Sequence, residues 1–181
     1  MYIKESINFC GRELIVESGK IAKQASGSCM ITYGDTVMLV AVTSSKGQEE
    51  DRGFFPLSVE YREKFYAAGR IPGGFFKREA RPSEREILAS RLTDRPLRPL
   101  FTDGFNNETR VDINVLSYDE SNEPDVLSAF GASYALMISD IPFEGPIASI
   151  RVGRIDDKLI MNPTKEQIEE SDFDLILSGS K

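Results

Sequence analysis

At 181 residues, 40% of them apolar and 28% charged, the chain has the size and composition of one soluble globular domain with a real core. It is acidic overall, at −7, and contains no histidine, which excludes His-based triads, His–metal sites and imidazole acid–base catalysis within the chain. Its longest apolar run, Val37 to Val42, is far too short to span a bilayer, and the opening MYIKESINF has no apolar signal region, so a cytoplasmic protein with no membrane contact is expected.

The first hundred residues read mainly as strands. Tyr2 to Phe9 alternates, and Gly11-Arg12 is a plausible hairpin turn into Glu13–Val16. Ser26 to Tyr33 places Cys29, Ile31 and Tyr33 on one face, and Gly34-Asp35 turns the chain into Thr36–Thr43. That run is apolar on both faces, the mark of a central buried strand. Cys10 and Cys29 lack a CxxC spacing, so they read as small core residues in a reducing compartment. Ser44 to Gly53 is an acidic loop whose Glu49, Glu50 and Asp51 read as a solvated tip rather than a metal cluster. Leu57, Val59 and Tyr61 then alternate in a further strand.

Next comes GRIPGGFFKREARPSEREILASRLTDRPLRPLF, from Gly69 to Phe101. Between Arg62 and Arg98 ten Lys/Arg face five Asp/Glu, a local +5, so the rest of the chain carries −12. A basic island in an acidic protein marks where an anion is expected. Ser83 and Glu86 form a capping-box pattern for a helix over about 84–95, which Pro96 and Pro99 should close. At about 100° per residue, Ile87, Leu88 and Leu92 share one side and Glu86, Ser90 and Thr93 the other. Arg91 and Arg95 fall within the apolar face, where a guanidinium must reach out to water, pair with an acid or line an anion pocket. Gly69, Gly73 and Gly74 are not a P-loop, because no Gly-Lys-Ser/Thr follows. Phe75-Phe76-Lys77-Arg78 sets aromatic rings beside cations, the combination with which single-stranded nucleic acid is held by stacking and phosphate pairing. The same residues would also suit a subunit contact. Asp94 and Glu84 read as salt partners of neighbouring arginines, and no pair of carboxylates declares itself as general acid and base.

Val111, Ile113 and Val115 mark a strand. A helix over about 124–139 follows, with Leu127, Phe130, Tyr134 and Ile138 at helical spacing and small residues that permit close approach to a sheet. Ile147–Arg154 and Leu159–Met161 are strands, Thr164 with Gln167 caps a short helix over about 164–171, and Phe173–Leu177 is a strand whose partner should lie further along. The expected fold is α+β, a largely antiparallel or mixed sheet packed against these helices.

The Gly69–Phe101 block, with GRELIVESGKIAKQASGSCMITYGDTVMLVAV and DVLSAFGASYALMISDIPFEGP, closely resembles the polynucleotide phosphorylase family. The resemblance covers essentially the whole chain. It implies an RNase PH-like domain, residues 1–181, as the first of two core domains, truncated before its last strand and helix. It implies also a 3′→5′ phosphorolytic exoribonuclease that uses phosphate as co-substrate and magnesium, and that works as a homotrimeric ring on single-stranded RNA. By position, Phe75, Phe76, Lys77 and Arg78 match the family's RNA-gripping loop, with Lys77 where Arg is common. Arg91, Arg95 and Arg98 match basic residues facing the RNA path. The catalytic and metal-binding residues are implied to lie in the second core domain, leaving this chain with grip and ring assembly. The rival expectation is an assembly domain without catalysis, its Phe/Arg segment making subunit contacts.

Overall fold

A computed structural model of the chain describes residues 1–47, 53–73, 75, 77–79 and 81–180. The fold is α+β, as expected. The larger sheet is six-stranded, in the order β1 (Ile3–Phe9), β2 (Arg12–Ser18), β3 (Gly27–Tyr33), β4 (Thr36–Ser44), β6 (Thr109–Ser117), β5 (Leu57–Glu63). All its pairings are antiparallel except β5 with β6, which are parallel. The smaller sheet has β7 (Ile147–Ile155) between β8 (Lys158–Met161) and β9 (Asp174–Ser180), both antiparallel to it. The last strand therefore finds its partner upstream, in β7, rather than further along the chain. Among the described residues no helix is long and apolar enough to cross a membrane.

Helix α2 (Pro124–Met137) packs against both sheets, and its composition explains how. Ala129, Ala132 and Ala135 are fully buried, and Gly131 comes so close to β4 that an added Cβ would lie 2.9 Å from Val40. Gly27 of β3 is tighter still, since a Cβ there would sit 2.0 Å from the Ala135 carbonyl oxygen. Small residues thus bring the helix close to the sheets, as expected, and of the Leu127–Phe130–Tyr134–Ile138 stripe Leu127 is buried and Phe130 and Tyr134 pack half-buried against the core, while Ile138 is 46% exposed. The helices cover only one face of the large sheet. Met38, Val40 and Val42 of β4 are accordingly fully buried while Val37, Leu39 and Ala41 on the other face are half-buried, so the strand is less enclosed than its sequence suggests. The first hairpin turns at Cys10-Gly11, one residue earlier than expected, with both residues at positive φ as a primed two-residue turn requires.

Helix α1 (Glu84–Leu97) starts with the expected capping box: Glu86 N–H donates to Ser83 Oγ (3.2 Å) and Ser83 N–H to Glu86 Oε2 (2.6 Å). It runs past Arg95 to Leu97 and continues as a 3₁₀ turn, Arg98–Leu100. Pro96 falls in the last turn, where its missing N–H removes one bond without breaking the helix, and Arg98 N–H still reaches the Asp94 carbonyl. The buried face is the opposite of the one expected. Glu86, Ala89, Thr93 and Leu97 point inward, while Ile87 and Leu88 are 47% and 58% exposed. The cause is the open edge of β5. Glu63 N–H donates to Glu86 Oε1 (2.9 Å) and Tyr61 N–H to Ser90 Oγ (3.0 Å). Arg98 donates to the carbonyls of Leu57 (3.1 Å) and Phe55 (3.0 Å), steadied by two bonds to Asp94 (3.0 and 2.6 Å). Residues 86, 90, 94 and 98 recur every four along the helix, about 6 Å per step, nearly the two-residue step of a strand, about 6.6 Å. One helical row can therefore follow alternate residues of an edge strand running the other way. Beside it, Thr93 Oγ1 meets Ser128 Oγ of α2 at 2.6 Å, both side chains fully buried. Ser128 already donates to the Asp125 carbonyl, so Thr93 is the donor to it.

Helix α3 (Lys165–Glu170) carries the expected Thr164–Gln167 capping box. Arg151 of β7 holds Asp174 of β9 (2.8 and 2.7 Å) and lies 3.7 Å from Asp125 at the start of α2, tying the small sheet to the helix layer.

Replacing Ser90 by Ala is expected to strand the Tyr61 N–H and cost about 1–3 kcal/mol of unfolding free energy. Glu86→Ala should cost more than Ser90→Ala, since it removes a helix cap as well as the acceptor for Glu63. Ile87→Ala should cost little. Urea unfolding of the three variants checks the order.

Candidate nucleic-acid interface

Beyond the carboxyl end of β5 the chain makes one 3₁₀ turn, Phe65–Ala68. Gly69 closes it at φ +64°, a left-handed conformation that needs no Cβ, and Gly69 N–H and Arg70 N–H donate back to Tyr66 O (3.0 Å) and Phe65 O (2.9 Å). Tyr118 N–H donates to Ala67 O (3.0 Å), anchoring the turn to the end of β6. The returning loop is tied down by Glu79, which accepts from Phe65 N–H (2.9 Å) and Lys64 Nζ (3.2 Å). The Phe65 amide above all holds the Glu79 carboxyl below the usual range; burial opposes it, and the Lys64 ammonium and the Arg62 charge add to the lowering.

These segments and the start of α1 enclose a cleft of about 740 Å³, lined by Arg62, Lys64, Phe65, Arg78, Glu79 and Arg81, with Glu63 and Glu86 at the α1 side. Every acid in it is already engaged. Glu86 serves Ser83 and Glu63, Glu79 serves Phe65 and Lys64, and Glu63 accepts from Tyr61 Oη (2.9 Å) and pairs with Arg85 (3.1 Å). Among the described residues Arg62, Arg78 and Arg81 have neither hydrogen bond nor ion pair. The uncommitted charge in the cleft is therefore positive, beside an aromatic ring.

Of the residues expected from sequence, Phe75 is 95% exposed, and Lys77 and Arg78 are exposed on the same loop. Phe76 lies outside the described residues, as do Gly74 and the acidic tip at Glu49, Glu50 and Asp51. Arg91 and Arg95 stand with Ile87 and Leu88 on the exposed face of α1 and have no ion pair or hydrogen bond among the described residues. Arg98 is different: Asp94 and the carbonyls of Phe55 and Leu57 occupy its guanidinium, which also lies 6.0 Å from the Phe55 ring. The fold thus brings Arg78 into the cleft, leaves Arg91 and Arg95 on an open helix face, and occupies the exposed Arg98 with Asp94 and two backbone carbonyls. Sequence reasoning missed Arg62, Phe65 and Arg81. The available signal was that Arg62 follows the inward Tyr61 on an alternating strand and so must face away from the core.

A second cleft, of about 500 Å³, lies between α1, the start of α2 and β9, and apart from Glu84 its charged groups are paired. Arg151 holds Asp174 and Asp125, while Arg85 pairs with Glu63 and Glu123. Among the described residues no three metal-ligating side chains converge. Cys29 is buried and its thiol pushed up to about 12, and burial raises Cys10 too, which suits neither to nucleophilic chemistry.

Residues 11–142 match the 3′ exoribonuclease family, domain 1, and residues 145–181 match domain 2 of that family. A polyribonucleotide nucleotidyltransferase of Acidiphilium cryptum is 55% identical over 180 residues, which cover 99% of this chain and 25% of the relative. That of Bacillus subtilis is 55% identical over 176 residues, covering 97% and 25%. The chain thus spans about a quarter of the length of the curated relatives it matches. Among solved structures, rice (Oryza sativa) Rrp46 superposes with a TM-score of 0.69 at 16% identity, covering all of this chain and 74% of that one. The Archaeoglobus fulgidus exosome with RNA bound to the active site gives 0.67 at 21%, covering 92% and 72%. At these identities the likeness is one of fold.

Glu79 has a folded-state pKa below its ordinary value, so its stabilisation of the loop is complete at neutral pH and disappears as pH falls through the folded-state value. A carboxyl titration by NMR should place its midpoint below 4.5. Exchange of the Phe65 amide should accelerate once that midpoint is passed, and Glu79→Gln should remove the pH dependence.

Proposed function

The chain belongs to the 3′ exoribonuclease family, and from that premise we propose that it is the first core domain of a 3′→5′ phosphorolytic exoribonuclease. In the whole enzyme inorganic phosphate attacks the terminal phosphodiester, the P–O3′ bond breaks, and a nucleoside diphosphate leaves, reversibly. This domain grips the RNA strand and builds the ring, while the chemistry belongs to a second core domain. The observation that carries the reading is the basic cleft, where the acids are internally satisfied and Arg62, Arg78 and Arg81 are not. A surface of that kind attracts polyphosphate, and its neighbouring loop, Phe75 to Arg78, adds a ring for stacking. Support comes also from the relatives, named polyribonucleotide nucleotidyltransferases. Magnesium and phosphate enter as co-reactants of the whole enzyme, working as a homotrimer in the cytoplasm. The acids that line the basic cleft are committed to Arg85, Lys64, Tyr61 and backbone amides, which favours metal ligands in the second core domain.

A second reading, an assembly surface, is favoured at one place only: the exposed face of α1, where Ile87 and Leu88 flank Arg91 and Arg95. Apolar side chains beside unpaired cations suit a protein partner as well as RNA.

With RNA, phosphate and magnesium, the chain alone is expected to release almost no nucleoside diphosphate, and robust release would refute the division of labour. Replacing Lys77 and Arg78 by Ala should flatten the salt dependence of single-strand binding by about 0.7 log unit for each phosphate no longer neutralised. Arg98→Ala should lower stability and leave that slope unchanged, because its guanidinium is already occupied by Asp94 and the Phe55 and Leu57 carbonyls.

A further inference from the structure

Phe65 is an aromatic residue left 44% exposed on a turn whose own amide and carbonyl are both hydrogen-bonded. Its N–H donates to Glu79, its carbonyl accepts from Arg70, and the same turn is fastened to Tyr118. A mobile loop can expose a ring in passing, but here the ring is held out by bonds that fix the backbone on both sides of it. It lines the basic cleft together with Arg62, Arg78 and Arg81. A volume of about 740 Å³ falls within the roughly 300–1,000 Å³ of ordinary small-ligand sites. Such a ring needs no induced ordering to stack a base, so less of the stacking energy is consumed on binding.

We propose that this cleft seats one nucleotide of the RNA strand, its base stacked on Phe65 and its phosphate held by Arg62, Arg78 and Arg81. The inference rests on the RNA-binding reading above and adds a base-dependent site on the β5 side of the loop. Tyr66, the next residue, is 59% exposed but does not line the cleft. Neighbouring residues of a 3₁₀ turn diverge by about 120°, so only one of the two rings can serve the site.

The test compares binding of a short oligoadenylate and an abasic ribose–phosphate oligomer of equal length to the full chain, by fluorescence anisotropy across a salt series. Phe65→Ala should weaken oligoadenylate binding about 5- to 150-fold, leave the salt slope unchanged, and leave the abasic oligomer unaffected. Phe65→Trp should restore binding, and Tyr66→Ala should bind as the parent does. Equal losses on both oligomers after Phe65→Ala, or none on either, would overturn the stack. So would a loss on Tyr66→Ala without one on Phe65→Ala. In any of these cases a flattened slope for Lys77→Ala/Arg78→Ala would leave the RNA-binding reading standing. An unchanged slope for that variant would sink the reading itself.

Discussion

The row of side chains from α1 that serves the open edge of β5 is the interaction on which the rest depends. An edge strand presents N–H and C=O groups that must be paired, hydrated or covered. Here Glu86, Ser90 and Arg98 answer them, and Asp94 steadies the last. Backbone amides need acceptors more than they need apolar neighbours, so the helix turns its polar row inward. The cost is an outward face carrying Ile87 and Leu88. Two consequences for function follow from that single choice. The start of α1 is fixed against the end of β5, which makes a rigid wall for the basic cleft. Arg91 and Arg95 are left on the surface, uncommitted among the described residues.

Glu86 joins the two halves of this arrangement. One carboxylate oxygen closes the capping box and the other receives the Glu63 amide, so the helix terminus and the strand terminus share a residue. Glu79 does for the loop what Glu86 does for the helix, through the Phe65 amide and Lys64. Each acid held in this way keeps its charge but has its oxygens occupied, so it is not free to pair with an arginine of the cleft. The positive field comes from the local excess of cations, and the engaged acids leave their guanidinium groups open to a ligand.

Strand order of appearance, both capping boxes, the α+β class and the small-residue character of α2 could be read from the sequence because each is a local pattern. Alternation, Ser/Thr three residues before Glu/Gln, and runs of Ala and Gly have meanings that do not depend on distant residues. The buried face of α1 could not be read that way. A helical wheel assumes that apolar means inward, and the deciding partner is a strand edge some two dozen residues earlier. The same limit hid the role of Arg98, which resembles its neighbours in sequence but finds carbonyl acceptors only once Phe55 and Leu57 are in place. The loop was legible as basic and aromatic. Its second ring, Phe65, was not, because exposure of that residue follows from how the 3₁₀ turn is fastened.

The parallel pairing of β5 with β6 has a further meaning. Antiparallel neighbours can be joined by a tight hairpin, whereas strands running the same way oblige the chain to travel back across the sheet before it can re-enter. Everything from Lys64 to Glu108, the aromatic turn, the basic loop and α1 alike, is that return journey. The binding elements are thus housed in a connection the topology already demanded. Residues of that connection outside the α1 row can therefore change while the ladder between the two strands stays in step.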